Sequence, residues 1–316
     1  MGRWIKNLLG LVISVFLLWY LYRHWDQLRS LLRINVSRLA ILFGLYFATT
    51  ICCAALVQLL VGVLKNKPAF WEMVWLHNAA ALLNYIPGKF GTIFRANYLK
   101  RHYGLGFTRF VVLFLYMSLL TSAIATAGGT VALLTVYGLG DYQTKILGGV
   151  LVAITAGAIL LLFVPLPAPA GKNRFSEILR EFIVGRRELA KNQKNNSFAG
   201  LLLTINLILS AAITRLIYNS IDTPVHPAGC FILGSLGYVV LLLGITPGGL
   251  GIRELVLSFG AKVLGIPIEV GLLAAMLDRA VGLVYTFIVG GVCAAWLWHR
   301  SPTDFKKANG NSPPEH

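Results

Sequence analysis

Two long apolar stretches of this chain, 69–104 and 228–266, are each interrupted near the middle by the same pattern, P-G-x-x-G. The first break reads Asn84-Tyr85-Ile86-Pro87-Gly88-Lys89-Phe90-Gly91, and the second Gly244-Ile245-Thr246-Pro247-Gly248-Gly249-Leu250-Gly251. Proline removes a backbone donor and clashes with the preceding helical turn, and glycine lowers helix stability. Each break therefore leaves two half-helices of about 12–18 residues, where about 20 are needed to cross hydrocarbon. Such pieces make sense only as pairs, and only in a membrane. Composition supplies the membrane. Hydrophobic residues are 57% and charged residues 13% of the 316, whereas a soluble domain carries about 25% charged. Mean hydropathy is +0.72.

Six further apolar runs, 4–22, 38–63, 107–137, 144–165, 198–218 and 268–298, are long enough to span. The expectation is an all-α polytopic membrane protein, with six spanning helices and two re-entrant broken-helix hairpins. The run 4–22 lacks an A-x-A-like exit and leads into more apolar sequence, so it reads as a retained helix. Residues 1–298 form one transmembrane domain. Within it, 170–197 is a polar, basic loop with one amphipathic helix lying on the membrane surface. The tail 299–316 is polar and Pro/Asn/Gly-rich at its end, and disorder is expected there.

The net charge is +16. In this composition it reads as basic residues placed in cytoplasmic loops and beside anionic headgroups, not as nucleic-acid binding. Putting 170–197 and both termini in the cytoplasm opens the first hairpin inward. Its mouth then carries Lys65, Lys67, Lys100, Arg101 and Arg109. The second hairpin opens outward. One loop, 23–37, runs against the bias, with Arg23, Arg29 and Arg33 on the outer side. The expected location is the inner (cytoplasmic) membrane of a bacterial cell.

The prolines of the two breaks, Pro87 and Pro247, lie 160 residues apart. Gly104 precedes the long run 107–137 as Gly265 precedes 268–298, and Gly128-Gly129 finds its counterpart in Gly290-Gly291. Hairpin followed by long helix thus occurs twice, at about 69–137 and 228–298, facing opposite sides: an inverted repeat. In transporters, paired Gly/Pro interruptions of this kind mark the substrate site.

A half-helix that starts inside a membrane exposes N–H groups without helical partners, which suits an anion such as phosphate. The substrate-binding candidates follow: Asn84, Tyr85, Gly88, Lys89, Gly91 and Arg95 at the first break, Gly248, Gly249, Gly251, Arg253 and Glu254 at the second, and Asp278 and Arg279 near the middle of the last run. Each has a plainer reading. Arg279 with Glu254, or Asp278 with Arg253, serves as an ion pair fixing the hairpin. Arg95 snorkels to the surface. Asn84 and Tyr85 cap free carbonyls. The six histidines make no HExxH or other metal spacing, no Asp/Glu cluster would hold a metal, and no Ser/His/Asp arrangement stands out. No catalytic residue, cofactor or metal is expected, and the chain reads as a non-enzyme.

The run Pro87-Gly88-Lys89-Phe90-Gly91 followed by Arg95-Ala96-Asn97-Tyr98-Leu99-Lys100-Arg101, and Thr246-Pro247-Gly248-Gly249-Leu250-Gly251-Ile252-Arg253-Glu254, resemble the two signatures of the lysylphosphatidylglycerol synthase transmembrane-region family. The likeness extends over roughly 4–298. It implies a relation to the flippase half of multiple peptide resistance factor, which moves aminoacylated phosphatidylglycerol between leaflets, without that protein's aminoacyltransferase domain. The expected function is a lipid flippase or transporter for an anionic phospholipid or a lipid-linked headgroup. The alternative is a membrane-embedded enzyme or accessory subunit of glycolipid or envelope-lipid biosynthesis. Expected partners are membrane lipids, with a second copy of the chain or an envelope-biosynthesis enzyme also compatible with the glycine-rich faces.

Overall fold

A computed structural model describes residues 35–64, 67–85, 89–164, 174–243 and 251–299. The expected first span 4–22, the loop 23–34, the tail beyond 299 and the candidates Gly88, Gly248 and Gly249 lie outside the described residues. Every described element is helical: α1 (Val36–Leu64), α2 (Phe70–Leu83), α3 (Phe90–Tyr103), α4 (Phe107–Ala132), α5 (Tyr142–Phe163), α6 (Arg174–Lys191), α7 (Gln193–Ser220), α8 (Pro227–Leu243), α9 (Ile252–Val263) and α10 (Ile268–His299). A π-helical turn, Leu133–Tyr137, extends α4.

Five of these helices are long and apolar enough to cross a membrane: Val36–Leu64, Phe107–Tyr137, Tyr142–Phe163, Gln193–Ser220 and Ile268–Leu297. They coincide with five of the six expected spans. A backbone in hydrocarbon must satisfy its own hydrogen bonds, so apolar runs of this length become helices. The molecule is a multi-pass membrane protein. The four half-helices are short, with 14 residues in α2, 14 in α3, 17 in α8 and 12 in α9.

The helix ends follow local chemistry. Asp141 caps α5 by accepting from the N–H groups of Tyr142 (2.7 Å) and Gln143 (3.3 Å), the favoured device for orphan donors. Asn192 caps α7 through the Asn195 N–H. The polar stretch holds the expected amphipathic helix as α6. Its apolar face buries Ile183 and Leu189, and Gly185 brings it against Val112 of α4. Arg186, only 3% exposed, donates to the carbonyls of Leu161 and Val164 at the end of α5. Those carbonyls lack helical partners and carry the negative end of the helix dipole, so a buried guanidinium fits there.

The core divides into two apolar clusters. One surrounds α2 and α3 with Leu56, Leu60, Met73, Leu76, Leu99 and Leu113. The other surrounds α8 and α9 with Leu42, Ile217, Ile232, Leu233, Leu257 and Leu277. Helices pair reciprocally across this division: α1 with α7, α4 with α8, and α10 with α2. Glycines set two of these contacts. A Cβ on Gly129 of α4 would lie 2.8 Å from Ser235 of α8, and one on Gly290 of α10 would lie 2.9 Å from the Asn78 carbonyl of α2. The polar partners repeat the exchange. Ser235 donates to the Ala125 carbonyl of α4 (2.6 Å), and Tyr285 of α10 donates to Asn78 (3.2 Å).

Candidate functional site

The second break delivers its charges at the start of α9. Gly251 is the N-cap, with φ of +79°, a conformation that glycine adopts without penalty. Glu254, three residues on, accepts from the Gly251 N–H at 2.9 Å and so satisfies one orphan donor of the new helix. The other oxygen of Glu254 meets Arg279 of α10, with Nε at 2.8 Å. Arg253 turns to the same helix, its Nη2 lying 2.6 Å from Asp278 Oδ2. Both pairings weighed from the sequence are formed, side by side, tying α9 to α10.

Asp278 is the node of this cluster. Its Oδ1 accepts from the Tyr46 hydroxyl of α1, which also lies 3.0 Å from the Asp278 backbone carbonyl. Tyr46 stacks on Tyr285, with centroids 5.6 Å apart, and Tyr285 in turn bonds Thr50 and Asn78. A polar chain therefore runs from the charges of the second break, through α1 and α10, to α2 of the first hairpin.

Arg253 and Asp278 line a cavity of about 240 Å³. Its walls come from α1 (Tyr46, Cys53), α7 (Asn206), α8 (Gly237, Tyr238), α9 and α10. A Cβ on Gly237 would lie 3.9 Å from the Arg253 guanidinium, in ordinary contact, so α8 passes directly beside the arginine. The Arg253 side chain keeps 23% exposure, and its buried Nε has no hydrogen-bond partner. The guanidinium thus holds a donor beyond those used on Asp278.

The first break is built differently. Lys89 is the N-cap of α3 in the left-handed region, φ +57°, and its side chain is exposed. Asn84, at the end of α2, accepts from the Thr92 N–H at 3.0 Å. It therefore caps a free N–H of α3, not the free carbonyls expected from its position. Gly91 is a packing residue, since a Cβ there would lie 1.8 Å from the Ala80 carbonyl oxygen of α2. Tyr85, 40% exposed, has its ring 6.1 Å from that of Phe287 on α10 and is within electrostatic reach of Arg279 and Arg253. Arg95 is turned inward, away from the snorkelling position. Its Nη2 lies 3.3 Å from Nδ1 of His77, its buried Nε is unpartnered, and no carboxylate pairs with it among the described residues. It lies within electrostatic range of Cys53, which lines the cavity.

So the structure brings Arg253, Glu254, Asp278 and Arg279 into one cluster, and sets Tyr85 and Arg95 on its other flank. Asn84, Gly91 and Gly251 shape the helix starts. Lys89 stands apart on the exposed tip. Tyr46 and Glu72 were not singled out from the sequence, and His77 was considered there only as a residue that could serve an embedded enzyme. Glu72 and His77 were detectable, with Asn78, as the polar residues of the apolar stretch 70–83, whereas Tyr46 carries no sequence signal.

The sequence profile of the lysylphosphatidylglycerol synthase transmembrane region matches residues 7–290. The chain belongs to this family. Among the curated proteins and the solved structures, none matches. Membership agrees with the two break motifs on which the likeness rests, and places the protein in lipid-related processes of the membrane. Within that family assignment, the charge cluster at the second break and the cavity beside it are the features that call for a chemical account.

Proposed function

We propose that this protein is a lipid flippase or transporter, moving an anionic phospholipid or lipid-linked headgroup between leaflets without covalent change. The observation that carries the reading is the pair of arginine–carboxylate bridges at the start of a half-helix, beside a cavity. A charge at mid-bilayer costs roughly 2.5–3.5 kcal/mol on insertion scales. A buried ion pair is weak as a stabilising device, because desolvation offsets much of its attraction. Four such charges in one cluster, two of them (Arg253 and Asp278) lining a cavity, therefore point to a path for a polar group. A headgroup crossing hydrocarbon needs partners to replace its water. Arg253 offers a spare donor, and Arg95 offers a cation with no carboxylate counter-ion among the described residues. A phosphate held there leaves its tails in the surrounding lipid.

The topology belongs to the same reading. The two pairs of short helices act as re-entrant hairpins, α2–α3 opening to the cytoplasm and α8–α9 to the outside. In this reading the positive end of α9, which starts after Gly251, faces the substrate path. The reciprocal packing of α4 on α8 and α10 on α2, each through a glycine of the long helix, supports an inverted repeat of α2–α4 and α8–α10. Both termini are placed in the cytoplasm, in a bacterial inner membrane. Membrane lipids are the partners, and transport is passive or ion-driven.

The test is reconstitution of purified protein into liposomes carrying headgroup-labelled phosphatidylglycerol, aminoacylated phosphatidylglycerol or a polyprenyl phosphate. The expected result is equilibration of one of these lipids across the leaflets, with its mass unchanged. A lipid recovered with an altered headgroup would support the enzyme reading instead. Immobility of all three, in well-folded protein, contradicts the proposal.

A further inference from the structure

The cavity beside the Arg253–Asp278 bridge has a second polar wall, on α7. Asn206 stands near the middle of that helix and is 3% exposed. Its Nδ2 makes a long contact, 3.6 Å, with the sulfur of Cys53, and its Oδ1 has no hydrogen-bond partner. An amide oxygen left unpaired in a protein interior is costly, and native folds rarely keep one. Ser210 and Thr214 follow at intervals of four residues, on the same face of α7, and line the cavity with it. Arg253 of α9 belongs to the same lining, and its buried Nε is likewise unpartnered. One cavity is thus walled by residues that hold an unused acceptor and an unused donor.

The charges of this cavity are already matched. Among the described residues that line it, only Arg253 and Asp278 are charged, and they are bridged to each other. Both oxygens of Asp278 are taken, one by Arg253 and one by the Tyr46 hydroxyl. A cationic group entering here finds no free carboxylate, and a buried ammonium without a counter-charge is far costlier than an unpaired neutral group. Size sets a further limit. The cavity's volume of about 240 Å³ falls below the roughly 300–1,000 Å³ of sites for drug-sized ligands. A headgroup fits, and acyl chains do not.

From these walls we propose that the cavity is a headgroup pocket selective for hydroxyl groups. It takes a phosphodiester lipid whose headgroup ends in uncharged hydroxyls, a glycerol or a ring polyol, and Asn206 is the residue that reads them. The proposal rests on the transport reading above and names the substrate class within it. The phosphodiester oxygens accept from the spare donor of Arg253, a charge-assisted bond. A headgroup hydroxyl pairs with the Asn206 amide. Because a hydroxyl both donates and accepts, it satisfies either end of that amide. The side chains of Ser210 and Thr214 offer the same dual chemistry to further hydroxyls. A headgroup without a hydroxyl leaves the Asn206 oxygen unpaired. A cationic headgroup arrives beside Arg253 with no carboxylate to receive it. Discrimination of this kind comes from what the wrong ligand leaves unpaired.

The test compares four lipids, each labelled on an acyl chain so that the headgroup is unaltered, in liposomes holding the full-length protein. Phosphatidylglycerol and phosphatidylinositol carry hydroxyls, the first on glycerol and the second on a ring. Phosphatidylmethanol has the same phosphodiester charge and no hydroxyl. Aminoacylated phosphatidylglycerol adds an ammonium. The wild type should move at least one of the two hydroxylated lipids roughly tenfold faster than phosphatidylmethanol, the effect of about one hydrogen bond. It should also move that lipid faster than the aminoacylated one. The faster of the two hydroxylated lipids identifies the polyol. Asn206→Leu, similar in size and without the amide, should erase the preference over phosphatidylmethanol. A wild type that moves phosphatidylmethanol as fast as both hydroxylated lipids overturns the proposal, whether or not the variant folds. A preference kept in Asn206→Leu overturns it too, since Asn206 then serves the fold alone. Fastest movement of the aminoacylated lipid overturns it while leaving transport intact. Immobility of all four refutes the transport reading itself.

Discussion

Gly91 shows how a single residue sets the geometry of a hairpin. The α2 and α3 backbones pass so closely that a methyl group would overlap the Ala80 carbonyl. Gly91→Ala must push the arms apart, at a cost of about 1–3 kcal/mol or more. The thermal midpoint of the detergent-purified protein should fall, while Gly149→Ala, inside α5 and facing open space, should not lower it, because alanine favours the helix over glycine. At this scale the sequence was partly legible. Charges that are costly in hydrocarbon identify themselves, so Arg253, Glu254, Asp278 and Arg279 could be picked out, along with the two ways of pairing them. What a helix end does with a side chain is less visible. Asn84 caps an N–H eight residues away on the next helix, and only the folded hairpin brings the two together. Tyr46 approaches Asp278 across 232 positions of sequence, a contact with no local mark.

Elements were read more securely than residues. A run of twenty apolar residues has one solution in a membrane, which is why five expected spans reappear as helices. The breaks were equally plain, since proline and glycine act on the backbone itself. The role of α6 was hidden, because its fixing residue, Arg186, looked like the other basic residues of a polar stretch. In the fold it closes the end of α5 through two carbonyls. Arg186→Gln should weaken that docking by about 1.5–3 kcal/mol, the value of a hydrogen bond to a charged group. Limited proteolysis should then cut within α6 faster than in the wild type. The exposed neighbour Arg187, replaced in the same way, should leave the rate unchanged, since isolated surface charges contribute little.

Over the whole molecule, the reciprocal contacts make the first and second halves into partners. Each long helix packs on the first short helix of the other half, so neither half buries its apolar faces alone. The proposed inverted topology demands that the mouths of the two helix pairs face opposite sides. With the four free cysteines replaced by serine, a cysteine at Lys67 should react with an impermeant thiol reagent from the cytoplasmic side, and one at Glu269 from the outer side. Labelling of both from one side contradicts the inversion. The central claim, that the Arg253–Asp278 bridge serves the lipid path and not merely the fold, has its own direct test. Losing one partner strands a buried charge, which destabilises a protein whatever its function. Removing both leaves no stranded charge and is often close to neutral for stability. The measurement is therefore lipid movement by the double variant Arg253→Gln/Asp278→Asn in liposomes, beside its thermal midpoint. The account predicts a midpoint near that of the wild type with lipid movement abolished. A double variant that moves lipid at the wild-type rate contradicts it.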